Sequence, residues 1–145
     1  MSKEVKFAVP VAEGAEFQFL GEETINPSFL QTFSFESPAQ LIVTETDEFS
    51  AVCPFSGLPD LAHLRIEYYP SGGRCIELKS LKYYITSFRN VGIYQEAATK
   101  RIREDLETVL NCPVRVQTIY NIRGGFKTTC TEGALSEPPK PSSET

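Results

Sequence analysis

The sequence predicts an α+β domain whose elements run in the order two strands, two helices, two strands. Three observations carry that reading. Residues 61–69 and 114–121 alternate apolar and polar side chains, the mark of half-buried strands. Between them, Gln95 to Leu110 repeats apolar residues every four positions, the mark of a helix with one face on a core. Turns bearing glycine and proline punctuate the chain around these segments.

Residues 1–38, with Pro10, Gly14, Gly21 and Pro27, read as an N-terminal arm with little regular structure. The first strand begins at Ala39, where Ala-Gln-Leu-Ile-Val-Thr-Glu-Thr is rich in β-branched residues and lies between Pro38 and Asp47. A second extended piece ends in Ala51-Val52-Cys53. In the next strand Ala62, Leu64, Ile66 and Tyr68 share one face, and His63, Arg65, Glu67 and Tyr69 the other. Pro70-Ser71-Gly72-Gly73 is a turn signal, so Arg74-Cys75-Ile76-Glu77 reads as the returning strand of a hairpin. A helix is expected from about Leu81 to Phe88, and a longer one from Gln95 to Leu110 with Ala98, Ile102, Leu106 and Leu110 as its apolar stripe. Lys100 with Glu104, and Arg103 with Glu107, stand four apart on its solvent side. Asn111-Cys112-Pro113 ends it, because proline cannot continue a helix and restricts the residue before it. Val114, Val116, Thr118 and Tyr120 then alternate with Arg115, Gln117, Ile119 and Asn121. Arg123-Gly124-Gly125 turns into a last strand over 126–130. Residues 133–145, with Pro138, Pro139 and Pro141 and almost nothing apolar, cannot offset the entropy of ordering and are expected to be a disordered tail. The catalytic domain is thereby placed at 39–132.

Composition narrows the function classes. With 145 residues, 41% hydrophobic and 23% charged, the chain suits one soluble domain with a sizeable core. No apolar run approaches the roughly 20 residues that cross a bilayer. The N-terminus has no secretory pattern, so a cytoplasmic location is expected. A net charge of -5 argues against direct binding of nucleic acid, whose affinity rests on Lys and Arg. Cys53, Cys75, Cys112 and Cys130 form no CxxC pair and read as free thiols. A single histidine, His63, is too few for a multi-histidine zinc site, so no metal is expected.

Cys53 stands where a strand gives way to a loop bounded by Pro54, Gly57 and Pro59, with a carboxylate at Asp60. Taken alone it has two readings: a buried small hydrophobe, or a thiolate exposed to a pocket with an acid near enough to protonate what it attacks. Wider motifs favour the second. Cys53-Pro54-x-x-Gly57-x-Pro59-Asp60, then Glu77-Leu78-Lys79-Ser80-Leu81-Lys82-Tyr83-Tyr84, then Phe88-Arg89-Asn90-Val91-Gly92-Ile93-Tyr94-Gln95-Glu96 closely resemble the 7-cyano-7-deazaguanine reductases, the NADPH-dependent nitrile reductases of queuosine biosynthesis. The similarity covers residues 39–131, in the family's short, single-domain form.

The resemblance implies that Cys53 adds to the nitrile carbon of a deazapurine to give a covalent thioimide, with Asp60 as proton donor. It implies that Glu96 holds the guanine-like edge of the base and that Ile76, Glu77 and Leu78 complete the base pocket. Gln95 departs from the family, many of whose members have histidine there; an amide still hydrogen-bonds but relays no proton near neutral pH. The Glu77 to Tyr84 segment matches the signature linked to NADPH. Lys79 and Lys82 can meet phosphates, with Arg123 as a third cation on its glycine turn, although a charged run is more commonly a solvated helix face. The implied architecture is a tunnel fold, an antiparallel sheet with two helices on one face in the order ββααββ. Subunits of that fold close into an oligomeric barrel with sites between them, here a homo-oligomer expected to be a decamer of two stacked pentamers. His63 matches no family role and reads as a surface residue. Cys75, Cys112 and Cys130 read as packing thiols. Two rivals stay open: an archaeosine-forming amidinotransferase, which keeps the cysteine and aspartate but acts on nitrile-bearing tRNA without NADPH, and a non-catalytic base-binding ring. The complete NADPH signature and the acidic chain weigh against the first.

Overall fold

A computed structural model describes residues 17–136. Along the chain run strands β1 (Thr32–Ser34), β2 (Ile42–Val52), β3 (Pro59–Tyr68) and β4 (Arg74–Ile76), helices α1 (Leu78–Thr86) and α2 (Gln95–Leu110), then strands β5 (Val114–Tyr120) and β6 (Thr129–Glu132). The main sheet is antiparallel in the order β2-β3-β5-β6, and β1 pairs with β4 in a separate two-stranded ribbon.

Alternation decides which face of the main sheet is covered. Ala62, Leu64, Ile66 and Tyr68 of β3 stand opposite Tyr120, Thr118, Val116 and Val114 of β5, and all eight are buried. The stripe Ala98, Ile102, Leu106 and Leu110 of α2 is fully buried in the same cluster, as are Leu81, Tyr84 and Ile85 of α1. Phe88 sits edge-on to both Phe49 and Tyr84, with ring centroids 5.3 Å apart in each pair. Each such large side chain contributes about 1.5–3 kcal/mol on leaving water. The solvent side of α2 carries the two expected ion pairs, Lys100 to Glu104 at 3.9 Å and Arg103 to Glu107 at 2.7 Å. No helix among the described residues is long and apolar enough to cross a membrane.

The opposite face bears an ion-pair lattice. His63 sits between Asp47 (2.7 Å from Nδ1) and Glu45 (2.6 Å from Nε2). Arg65 bridges Glu45 and Glu67, and Arg115 also reaches Glu67. The bonds to Asp47 and then Glu45 push the His63 pKa up. Burial opposes the charge on Glu67, but Arg65 and Arg115 outweigh it and hold the carboxyl below its ordinary value. His63 therefore lies on the outer face, as its position in the alternation requires.

Several elements differ from the expected ones. The two expected pieces form one long strand, Ile42–Val52, interrupted by a bulge between Thr46 and Phe49 that restores the core-facing alternation after an extra residue. The hairpin of β3 with β4 does not form. Both edges of β3 are taken, by β2 and β5, so β4 swings away to pair with β1. Gly72 in the intervening turn lies against the end of α2, where an added Cβ would come 2.3 Å from the Leu110 carbonyl oxygen. The first helix starts at Leu78 rather than Leu81, because the Glu77 carboxylate caps it by accepting from the backbone N–H of Lys79 and Ser80. The last strand starts at Thr129 rather than Phe126, which instead pairs with Arg123 across the glycine turn. Residues 17–38 are not wholly irregular, since they hold two short 3-10 turns and β1. Most of the expected disordered tail, from residue 137, lies outside the described residues, as do residues 1–16.

Candidate active site

Three connections converge on the end of β2. Val52 receives a hydrogen bond from Ile93 (3.0 Å) and donates one to Val91 (2.9 Å), which ties the segment between the helices to the residue before Cys53. Gln95 and Glu96, the first two residues of α2, are thereby delivered beside the cysteine. Asp60 enters from β3, directly opposite Ala51. Arg123 enters from the turn after β5. The resulting cavity, about 240 Å³, is lined by Cys53, Asp60, Gln95, Glu96 and Arg123 together with Tyr94, Asn121, Phe126 and Thr128.

The loop after Cys53 is stapled on itself. Cys53 N–H donates to the Leu58 carbonyl (2.9 Å) and Gly57 N–H donates to the Cys53 carbonyl (2.7 Å), with Gly57 in the left-handed region at φ 74. This tight turn brings donors to the sulfur. Burial disfavours the thiolate, but the Ser56 hydroxyl and the backbone N–H groups of Ser56 and Phe55 outweigh it, so the Cys53 pKa falls below its ordinary value even with Asp60 nearby. Cys75, Cys112 and Cys130 go the other way, each pushed up by burial. Of the four thiols, Cys53 alone has the electrostatics of a nucleophile.

Asp60 is buried, with a side chain 5% exposed, and is paired with the Arg123 guanidinium, itself 40% exposed. The same Arg123 Nη1 also donates to the Pro59 carbonyl at 3.2 Å. Glu96 lies in the first turn of α2, where the helix N-terminus favours a carboxylate. Behind the site Thr99 and Thr118 share a buried hydrogen bond of 2.6 Å, and Thr99 also bonds the Gln95 carbonyl. The hydroxyl of Tyr120 is buried without a partner among the described residues.

The remaining candidate residues stand elsewhere on the subunit. Ile76, Glu77 and Leu78 line a separate cavity of about 490 Å³ with Phe33, Phe35 and Tyr68. Lys79 lies over the Tyr83 ring at 5.9 Å, and Lys82 pairs with Glu48 at 3.5 Å. One copy of the chain thus brings together Cys53, Asp60, Gln95, Glu96 and Arg123, but not the other five. Sequence reasoning missed Ser56, although a hydroxyl three residues after a cysteine in a Pro- and Gly-bounded turn was a usable signal. It also missed the Asp60–Arg123 pair, whose members are 63 residues apart with nothing local to link them. Among the described residues no group of three or more His, Cys, Asp or Glu is placed to hold a metal ion.

Comparison with known proteins bears on this arrangement. A family model described as QueF-like protein matches residues 59–138. A protein of Thermotoga petrophila named NADPH-dependent 7-cyano-7-deazaguanine reductase is 59% identical over 128 residues, covering 88% of this chain and 93% of the relative. The chain belongs to that reductase family. A Thermotoga maritima protein of the same name matches equally, and one from Caldicellulosiruptor bescii is 47% identical over 116 residues, 77% of this chain and 87% of its own length. The crystal structure of an archaeosine synthase QueF-Like in the apo form superposes with a TM-score of 0.62 at 23% identity, over 68% of this chain and 96% of that one. The subunit therefore has the expected tunnel fold. Membership of the 7-cyano-7-deazaguanine reductase family fits a cavity that combines one activated thiol with two carboxylates.

Proposed function

We propose that this chain reduces the nitrile of 7-cyano-7-deazaguanine to the aminomethyl group of 7-aminomethyl-7-deazaguanine, a cytoplasmic step of queuosine biosynthesis. The observation that carries the reading is the lowered pKa of Cys53 in the cavity that also holds Asp60 and Glu96. The Cys53 thiolate adds to the nitrile carbon as one C–N π bond breaks, and Asp60 passes a proton to the nitrogen, which gives a thioimide. Two NADPH molecules, bound in succession, would each supply one hydride. With these and one further proton the carbon becomes the aminomethyl group, and the Cys53 thiolate leaves between the two hydride additions. Glu96 accepts hydrogen bonds from the N–H edge of the base and Gln95 orients it without relaying a proton. Lys79, Lys82 and Arg123 form a cationic set suited in chemistry to the phosphates of NADPH.

The second half of the base pocket, Ile76 with Glu77 and Leu78, is assigned to a neighbouring subunit, because in one copy these residues line a different cavity. Exposed apolar residues flank both cavities: Phe55, Leu58, Ile122 and Phe126 near Cys53, and Phe33 and Leu78 at the other. Such patches support a head-to-tail ring, within the decamer the family resemblance implies.

The test mixes purified protein with NADPH and 7-cyano-7-deazaguanine. NADPH is expected to be consumed at two equivalents per base, and intact mass is expected to reveal an adduct that is lost in Cys53→Ala. Absence of both would overturn the reading. The likeness to an archaeosine synthase keeps one alternative in the assay: incorporation of ammonia into nitrile-bearing tRNA without loss of NADPH would favour the amidinotransferase.

A further inference from the structure

We propose that Arg123 is a latch on the proton donor: it holds Asp60 in an ion pair until an anionic phosphate of the dinucleotide draws the guanidinium away, so that cofactor binding arms the acid. This rests on the proposed roles of Cys53 and Asp60. A carboxylate engaged by a guanidinium accepts hydrogen bonds and has no proton to give. The nitrile nitrogen needs one. The pairing found between Asp60 and Arg123 is therefore a resting arrangement, and something must break it before the thioimide can form.

The geometry makes Arg123 the mobile partner. Asp60 is fixed in a central strand and almost wholly buried, whereas Arg123 is 40% exposed on a turn closed only by its own bonds with Phe126 (3.0 and 2.9 Å). Gly124 and Gly125 follow it with φ of 57 and 86, and an added Cβ at either would meet nothing within 4 Å, so no part of its own subunit packs on the turn tip. Arg123 bonds its protein partners through Nη1 alone among the described residues; Nε and Nη2 remain for an incoming phosphate. Once the guanidinium leaves, the buried Asp60 carboxyl has no charged partner and its oxygens are free to face the nitrile nitrogen in the cavity. The other titratable groups facing it are Cys53 from the loop after β2, Glu96 from α2 and Tyr120 from β5. None of them can replace the cation.

The measurement is the rate of the Cys53 adduct with 7-cyano-7-deazaguanine, by intact mass from pH 5.5 to 9, with and without NADP+. The oxidised nucleotide binds but supplies no hydride, so the reaction halts at the thioimide. Loss of thiolate sets the acidic limb of the profile; the latch concerns the alkaline limb. In wild type, NADP+ is expected to move the alkaline limb to higher pH and to speed adduct formation at pH 8 roughly tenfold, the scale of effect when a neighbouring cation leaves a group that must hold a proton. In Arg123→Ala the limb is expected to lie at higher pH without nucleotide and to ignore NADP+; Arg123→Lys is expected to keep part of the response. A wild-type profile indifferent to NADP+, or an Arg123→Ala profile that still responds to it at saturation, overturns the latch and leaves the nitrile-reductase reading standing. No adduct under any condition overturns that reading, and the latch with it.

Discussion

Replacing Ser56 by alanine tests whether Cys53 is activated by its own loop. The hydroxyl of Ser56 is the largest favourable influence on the Cys53 thiolate, ahead of the two backbone N–H groups that also point at the sulfur. A hydrogen bond to an ionised group contributes about 1.5–3 kcal/mol. In Ser56→Ala the two backbone donors stay, and water reaches the half-buried sulfur, so the net loss is set lower, at about 1 kcal/mol. That corresponds to a thiolate population roughly fivefold smaller at neutral pH. Ser56→Ala also removes the bond from Leu58 N–H to the hydroxyl (3.2 Å), but the bonds of Cys53 N–H to Leu58 and of Gly57 N–H to Cys53 remain to hold the loop. The assay is alkylation by iodoacetamide under pseudo-first-order conditions from pH 6 to 10, with intact mass to count modified thiols. Wild type is expected to modify one thiol fast, at Cys53, while the three thiols with raised pKa lag behind. The variant is expected to react about fivefold more slowly at pH 7 and to reach the same rate at the alkaline end. Equal rates at pH 7 with an unchanged melting temperature would refute the argument, because the activation would then owe nothing to Ser56.

Other perturbations follow from the same structure. The pKa of His63 is raised by Asp47 and Glu45, so the stability its ion pairs contribute is fully present below the unfolded value near 6.5 and is lost as pH rises through the folded value. His63→Gln is expected to destabilise by about 0.2–1 kcal/mol at pH 6 and by almost nothing at pH 9, read from denaturant melts at both pH values. Glu77→Ala removes the cap of α1 and is expected to cost about 1 kcal/mol, with faster amide exchange at Lys79 and Ser80. Leu106, fully buried on α2, is expected to cost about 2–5 kcal/mol as Leu106→Ala in urea unfolding.

How much of this could be read from the chain depends on how far apart the partners lie. The apolar stripe of α2 and the alternation of β3 and β5 are local and were legible to the residue. Cys53 and Asp60 were legible together because one loop joins them. The hairpin failed because a turn signal reports only on the chain to either side of it. Pro70-Ser71-Gly72-Gly73 does turn, but residues some 45 positions onward had already taken the edge of β3 that a hairpin needs. The start of α1 was placed late because glutamate is not a usual cap, and its carboxylate reaches the backbone only in this geometry. The split between the two cavities was foreshadowed only by the resemblance, which implied sites between subunits. Motif order along a chain says which residues serve one reaction, not which copy of the chain supplies them.

The bulge in β2 has a consequence for how this chain can change. Upstream of it, Glu45 and Asp47 hold His63 on the open face; downstream, Phe49 and Ala51 enter the core and Cys53 leads into the site. Two residues, Asp47 and Glu48, stand opposite the single His63, so the bulge absorbs one residue without changing which face follows it. Removing one of the two would close the bulge and leave Phe49 opposite Ala62, whereas removing both would set Phe49 opposite His63 and turn the stretch from Phe49 to Cys53 over, with Phe49 toward solvent and the nucleophile on the wrong side of the sheet. In β2, chemistry depends on counting as much as on identity.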